Sequence, residues 1–344
     1  MWNWIIKARV ASCDASAVVN ERDIERAKSV LFAVFARYGD SVIAFKTIDE
    51  FIAAHPDKRY LLITTHQALP YARVLIRRPI ELIGVNKRRN PLRMWQLVRR
   101  LRRAPPDLGL NPWSHGAESE YFASFATRFA WFRQFARYER NYNLYRRPRE
   151  YLRLPEPKPM LARPLPANAE RIVLVPFSTD IRKGLDRRDL ALVVSTLRKR
   201  FAPSRIIAAG LAHELKEAES IDVERFTLGK TAQASESFID LLRTASLFVG
   251  VDTGPMHLAE ALGIPTIGIF GPTAPETVLD RANRITALRH PAMRGTFCDV
   301  LSCRNPVCLH LLCATLDADN PVPSDTDTVP NIERERCVMP GGNA

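Results

Sequence analysis

At 344 residues, 46% hydrophobic and 25% charged, the chain has the composition of a globular protein and the length for two domains, each with its own core. No run approaches the ~20 consecutive apolar residues needed to cross a bilayer. The apolar start Met1–Ile6 is too short for a signal-peptide core and is interrupted by Lys7, Arg9 and Asp14, so a cytoplasmic protein is expected. The net charge of +13 is unevenly placed: residues 1–165 hold 30 Lys and Arg against 15 Asp and Glu, while residues 166–344 hold 20 against 22. The excess gathers at Arg73, Arg77 and Arg78, at Lys87 to Arg103 and at Arg128 to Arg153. Such a field draws polyanions within a Debye length of about 8 Å at physiological salt. Nucleic acid, an anionic membrane surface and a phosphorylated glycolipid all fit it, and so does a solvated basic surface without a dedicated partner.

In chain order, residues 1–27 match no clear element and read as an irregular leader. Val30 to Ala36 reads as a strand, Arg37 to Asp40 as a turn and Val42 to Ala54 as an amphipathic helix. Tyr60 to Thr64 and Ile80 to Val85 are further strands with a helical segment between them, and Asp107 to Leu110 is a fourth. Residues 121–151 are aromatic and arginine-rich with helical spacing. Pro148, Pro155, Pro157, Pro159, Pro164 and Pro166 then mark a semi-rigid linker. Past it, Arg171 to Val175, Arg205 to Ala209, Leu247 to Val251 and Thr266 to Phe270 are strands. Strands alternating with helices predict the α/β class with two parallel, doubly wound sheets, and a ligand cleft between the domains that carry them. The expected division is a leader (1–27), an N-terminal domain (28–165), a C-terminal domain (166–316) and a flexible, polar, Pro-rich tail (317–344).

The most informative stretch runs from Leu247 to Pro275. Its first strand ends on Asp252-Thr253-Gly254, and Pro255 suits the first turn of a helix because its missing N–H is not needed there. His257, Ala259, Ala261 and Leu262 follow on a short helix that stops at Gly263. A second strand then closes on Gly271-Pro272-Thr273. Ligands of open parallel sheets bind at the carboxyl edge of the strands, and the helix start points N–H groups and partial positive charge at that edge, which suits a phosphate. Asp-Thr-Gly at a strand end is common in α/β proteins, and His257 taken alone reads equally as a hydrogen-bonded structural residue. The whole string is more specific. Asp-Thr-Gly, His three residues later, a small-residue helix and Phe270-Gly271-Pro272-Thr273-Ala274-Pro275 together resemble the lipopolysaccharide heptosyltransferases of glycosyltransferase family nine.

The resemblance covers about residues 28–290 and implies a GT-B fold of two Rossmann-like domains facing across a cleft. It implies that Asp252 contacts the donor sugar, that Thr253 and Gly254 meet its diphosphate, and that His257 supports the same pocket. Ser178 and Thr179 would donate to phosphate oxygens, and Lys183 would neutralise the leaving diphosphate. After that lysine the family usually continues Trp-Pro, where this chain has Gly184-Leu185-Asp186; a surface lysine with no role is the alternative. Glu214, after His213, would accept the ribose hydroxyls, or else His213-Glu214 is an ordinary helix start. Gly39-Asp40 matches the family's Gly-Asp, which makes Asp40 the general base of an inverting displacement. Its alternative is an N-cap on the following helix. Further on the family often has a proline where this chain has Lys46.

The implied donor is ADP-heptose and the implied acceptor an anionic lipopolysaccharide core at the inner face of the inner membrane, which the enzyme would touch peripherally. Neither metal, other cofactor nor nucleic acid is expected. Two other readings remain: a GT-B transferase using another nucleotide-diphosphate sugar, and a non-catalytic binder of anionic glycolipid or nucleic acid. Cys298, Cys303, Cys308 and Cys313 recur at every fifth residue, with Cys13 and Cys337 apart. Their gaps are wider than zinc knuckles use, so reduced thiols are expected ahead of a structural metal.

Overall fold

The strand runs of this chain are apolar on both faces, and a strand of that kind is stable only inside a parallel sheet covered by helices on either side. The computed structural model describes residues 2–12, 20–86, 91–111, 113, 116–131, 143–279, 281–290 and 309, and builds two such sheets. They belong to separate units: residues 1–158 with 229–239, and residues 159–228 with 240–344.

In chain order the first unit holds α1 (Trp2–Ser12), α2 (Glu21–Arg26), β1 (Ser29–Val34), α3 (Tyr38–Ala54), β2 (Arg59–Thr65), α4 (Leu69–Leu75), β3 (Glu81–Val85), α5 (Pro91–Arg103), β4 (Leu108–Asn111), α6 (Ala117–Ala123), β5 (Arg128–Trp131) and α7 (Arg146–Tyr151). The sheet order is β3-β2-β1-β4-β5, parallel throughout. Alternate residues of central β1 serve opposite layers, as a period of two requires. Phe32 packs edge-on to Phe51 with centroids 5.6 Å apart and stacks on Tyr60 at 6.1 Å. Leu31 and Ala33 join Leu61 and Ile63 in a core roofed by Ile6 of α1, Met94, Leu97 and Leu101 of α5, and Phe122 of α6. At the strand starts, the Asp107 carboxylate accepts from Lys28 N (2.8 Å), Ser29 N (2.9 Å) and Ser29 Oγ (2.9 Å), locking β1 beside β4. Burial pushes this carboxyl up, but those donors and nearby Arg59 together hold it below the ordinary value.

The second unit holds β6 (Arg171–Val175), α8 (Arg187–Arg200), β7 (Arg205–Gly210), a 3₁₀ turn (Glu214–Ala218), β8 (Glu224–Thr227), the C-terminal part of α9 (Ala232–Arg243), β9 (Leu247–Val251), α10 (Gly254–Ala261), β10 (Thr266–Phe270), α11 (Pro275–Val278) and β11 (Ile285–Arg289). Its order is β11-β10-β9-β6-β7-β8, again all parallel. Counted from β6 within the unit, this is the Rossmann order 3-2-1-4-5-6, and it reverses direction between β6 and β9. Gly268 lets α10 lie tight on β10, since a Cβ there would meet Met256 Sδ at 2.7 Å. Gly263, with φ +89°, ends that helical segment in a conformation other residues resist.

Several expectations are corrected. Residues 1–27 are not an irregular leader: they contain α1, whose Ile6 is buried and whose Arg9 donates to Ser124 Oγ (2.9 Å) and O (2.7 Å), and α2, opened by an Asn20–Asp23 capping box. The turn expected over Arg37 to Asp40 is helical from Tyr38, which puts Asp40 inside the first turn with Arg37 at the N-cap. Residues 121–151 are not one helical stretch, because β5 and α7 both lie in them. Pro148 sits in α7, and the supposed linker is already docked at Met160, whose N–H donates to Arg281 O at 2.7 Å, and at Arg163, whose N–H donates to Arg284 O at 3.2 Å. The tail 317–344 and all six cysteines lie outside the described residues. Among the described residues no helix is long and apolar enough to cross a membrane.

Asp107→Ala should destabilise the first unit by about 1–2 kcal/mol near neutral pH, because three donors lose their acceptor at a partly screened site. The native carboxyl lies below its ordinary value, so its contribution is complete above roughly pH 4 and fades as pH falls through the native value. Urea titrations of wild type and variant should therefore diverge at neutral pH and converge in acid; a constant gap at all pH would contradict the carboxylate's role.

Candidate functional site

At the reversal point of the second sheet, the loops leaving β6 and β9 emerge side by side, because these strands pair directly (Val175 opposite Gly250). The β6 loop is tightly folded on itself. Leu185 N donates back to Pro176 O at 2.8 Å, and the Asp180 carboxylate accepts from Arg182 N at 3.1 Å and from the Arg182 guanidinium at 2.8 and 2.5 Å. Arg182 holds the Asp180 carboxyl below the usual carboxylate range. Ser178 Oγ accepts from Asp180 N at 3.2 Å, and Lys183 N donates to Asp180 O at 2.9 Å. Buried Leu185 anchors the far end, and Asp186 is the N-cap of α8, accepting from Asp189 N at 2.9 Å.

This loop delivers Lys183 to Asp252. The ammonium lies 2.5 Å from Asp252 Oδ2, with the lysine side chain 24% exposed and the aspartate 6%. An ammonium carries three donors and one carboxylate oxygen occupies one of them, so Lys183 keeps N–H donors for an anion beside the neutral pair. Asp252 is itself fixed by its N–H, which donates to Ile269 O at 3.2 Å. Thr253 follows as the N-cap of α10 with extended backbone and makes no side-chain cap bond; its hydroxyl turns back to Val251 O at 3.1 Å. Gly254 opens α10 and Pro255 occupies its first turn, so the helix start faces this edge without a side-chain oxygen from its own N-cap. His257 is buried one turn on.

The next loop, after β7, carries Glu214. Its Oε2 accepts from Leu211 N at 2.7 Å, and it lies close to Gly210, where a Cβ would meet Phe177 Cδ2 at 2.6 Å and Glu214 Oε2 at 3.3 Å. Phe177, Gly210 and Glu214 are thus packed in one corner. Ser178 is half-buried and Thr179 exposed on the same loop as Lys183. Asp40 stands in the first unit, near the N-terminus of α3 and just past the carboxyl end of β1.

Asp180 and Arg182 were missed by the sequence reading, and they prove to shape the loop that positions Lys183. The Ser-x-Asp-x-Arg spacing is the signal that would have found them, since Asp bonds its own backbone two residues on. Buried Glu260 was also missed: it accepts from Asn283 Nδ2 (3.2 Å) and Arg284 N (3.3 Å), fixing α10 against the chain that enters β11. No group of three His, Cys, Asp or Glu suited to a metal occurs among the described residues.

Residues 169–305 match the family model for Glycosyltransferase family 9 (heptosyltransferase). This segment takes in every one of the site residues just described in the second unit. No curated protein matches the chain by sequence. Among solved structures, E. coli ADP-heptose lps heptosyltransferase II is 15% identical with a TM-score of 0.56, covering 84% of this chain and 98% of that one. E. coli heptosyltransferase WaaC with ADP-2-deoxy-2-fluoro heptose is 19% identical with a TM-score of 0.53, covering 83% and 97%. The glycosyl transferase family 9 protein of Veillonella parvula is 14% identical with a TM-score of 0.54, covering 76% and 84%. The fold is that of the GT-B heptosyltransferases, with two Rossmann-like domains.

The unequal burial of the ion pair makes a prediction. Lys183→Ala strands a nearly buried carboxylate and should cost about 2–4 kcal/mol, whereas Asp252→Ala leaves an ammonium that reaches water and should cost about 1–2 kcal/mol. Urea unfolding of both variants checks this; the opposite ranking would refute the burial argument.

Proposed function

We propose that the protein is an inverting heptosyltransferase that moves the sugar of ADP-heptose onto a hydroxyl of an anionic lipopolysaccharide core acceptor. The observation that carries this reading is the Lys183–Asp252 pair, set at the reversal point of the Rossmann-like sheet beside the open start of α10. The glycosyltransferase family 9 match over the same residues supports it. So do two structures of one solved relative, E. coli heptosyltransferase WaaC, with ADP-2-deoxy-2-fluoro heptose and with ADP.

In this reading the donor diphosphate lies against Thr253, Gly254 and the first turn of α10, with Ser178 and Thr179 donating to its oxygens. Glu214 keeps one carboxylate oxygen on Leu211 N and turns the other to the ribose hydroxyls. Asp252 meets the sugar while holding Lys183 in place, and His257 supports the turn from below. The acceptor hydroxyl gives its proton to Asp40 as its oxygen bonds to the anomeric carbon. The carbon–oxygen bond to the diphosphate breaks on the opposite face, and its electron pair leaves with ADP. Lys183 and the helix start stabilise that charge, a task a metal ion performs in other transferases. One base and no acid suffice, since ADP leaves as an anion.

The basic first unit suits an acceptor that carries phosphates and acidic sugars. Not every arginine of the unit is available to it, because Arg149 is buried in a bidentate pair with Glu50 (2.7 and 2.7 Å), while Arg78 pairs with Asp49 and Arg100 with Glu81. In this reading the acceptor is membrane-borne and the enzyme works at the inner face of the inner membrane.

Asp40→Asn should fold and be stabilised by ADP-sugars like the wild type, while transfer falls by about 10²–10⁴-fold. Thermal shift and product formation read the two halves separately. Undiminished turnover in that variant would remove Asp40 from the reaction.

A further inference from the structure

Six large apolar side chains are conspicuously exposed among the described residues, and the three that fall in the first unit are Trp4 (75%), Leu92 (63%) and Trp95 (52%). All three sit on α1 and α5. These two helices contribute Ile6 and Met94, Leu97, Val98 and Leu101 to one hydrophobic cluster with Leu31, Ala33, Leu61 and Ile63, so they cover the same face of the sheet. On α5 the buried residues define one side. At 100° per residue Leu92, Gln96, Arg99 and Arg103 lie opposite, with Trp95 and Arg102 on the flank beside them. All six are exposed, and the helix contains no acidic residue. Arg99 stacks over the Trp95 ring at 5.2 Å. On α1, exposed Lys7 accompanies Trp4.

We infer that the outer face of α5, with Trp4 of α1, docks the protein onto a bilayer bearing anionic headgroups. A helix lying in the plane of an interface needs apolar side chains at the acyl boundary and Arg or Lys among the headgroups. Tryptophan settles at headgroup depth, and each basic side chain near an anionic surface raises affinity about fivefold. Nucleic acid would use the arginines but would gain nothing from an exposed leucine between them. The inference rests on the membrane contact included in the proposed function and names the surface that makes it. It requires no residue of the donor site.

The test is flotation of the full-length protein with vesicles of phosphatidylethanolamine and phosphatidylglycerol, and with vesicles of phosphatidylcholine alone, at about 0.1 M salt. The protein should float with the anionic vesicles and stay behind with the neutral ones. R99Q/R102Q/R103Q should weaken anionic-vesicle binding about a hundredfold, and L92S/W95S about tenfold. Equal binding to neutral vesicles, either variant floating like the wild type, or capture of the protein from anionic vesicles by a single-stranded oligonucleotide would overturn the inference. Thermal shift with ADP-sugars is read on the same proteins without lipid. Lost flotation with intact donor stabilisation strikes the membrane contact and this surface but not the transfer, and intact flotation without donor stabilisation strikes the transferase reading alone.

Discussion

A carboxylate that is 6% exposed is stable as an anion only beside a cation, and the cation that serves Asp252 comes from a loop 69 residues away in sequence. That single requirement organises the working edge of the second unit. It holds the β6 loop against the β9 turn, and it draws the Asp180–Arg182 clasp, the Pro176–Leu185 closure and the Asp186 cap into one rigid frame for Lys183. Pairing β6 with β9, strands that are not consecutive, is what brings the two loop ends together. A doubly wound sheet reverses direction there, and the helix that follows β9 turns its N-terminus to the same spot. Cation, helix dipole and buried carboxylate therefore meet where the topology leaves room for a ligand.

The first unit uses the same architecture with different chemistry. Its central strand is sealed on both faces, its sheet order reverses between β1 and β4, and Asp40 stands just past the carboxyl end of β1. Its positive charge serves two ends. Some arginines are consumed inside the unit, where Arg149 bonds Glu50 and ties α7 to α3, the helix that carries Asp40. Others, such as Arg99, Arg102 and Arg103, stand outward on a helix whose inner side is wholly apolar. A count of charges along the chain does not distinguish these fates; burial does.

Most strands were legible in the sequence because they are unbroken apolar runs, as in Arg171-Ile-Val-Leu-Val and Leu247-Phe-Val-Gly-Val. The three that escaped, β5 (Arg-Phe-Ala-Trp), β8 (Glu-Arg-Phe-Thr) and β11 (Ile-Thr-Ala-Leu-Arg), are all edge strands and correspondingly mixed in polarity. The leader misled for a related reason: α1 has little helical periodicity, and it is held by Ile6 with Ile5 and Val10 beside it and by Arg9, which reaches Ser124. The start of α3 was hidden because Tyr38-Gly39 is a poor helix opening that packing overrides. In the site, residue types and strand-end positions were readable, since Asp252, Thr253, Gly254 and Lys183 each follow an obvious strand. The contact between Lys183 and Asp252 was not, because no local pattern encodes a pairing made by sheet order.

The central claim is that this corner of the second unit, the β6 loop with the start of α10, receives a nucleotide diphosphate. Amide hydrogen exchange on the full-length protein, with and without saturating ADP, tests it most directly. The account predicts slower exchange in the backbone of Ser178–Lys183 and Thr253–His257, with the Lys183→Ala protein showing little change at the same ADP concentration. Unaltered exchange in both segments while ADP protects some other part of the chain would contradict it.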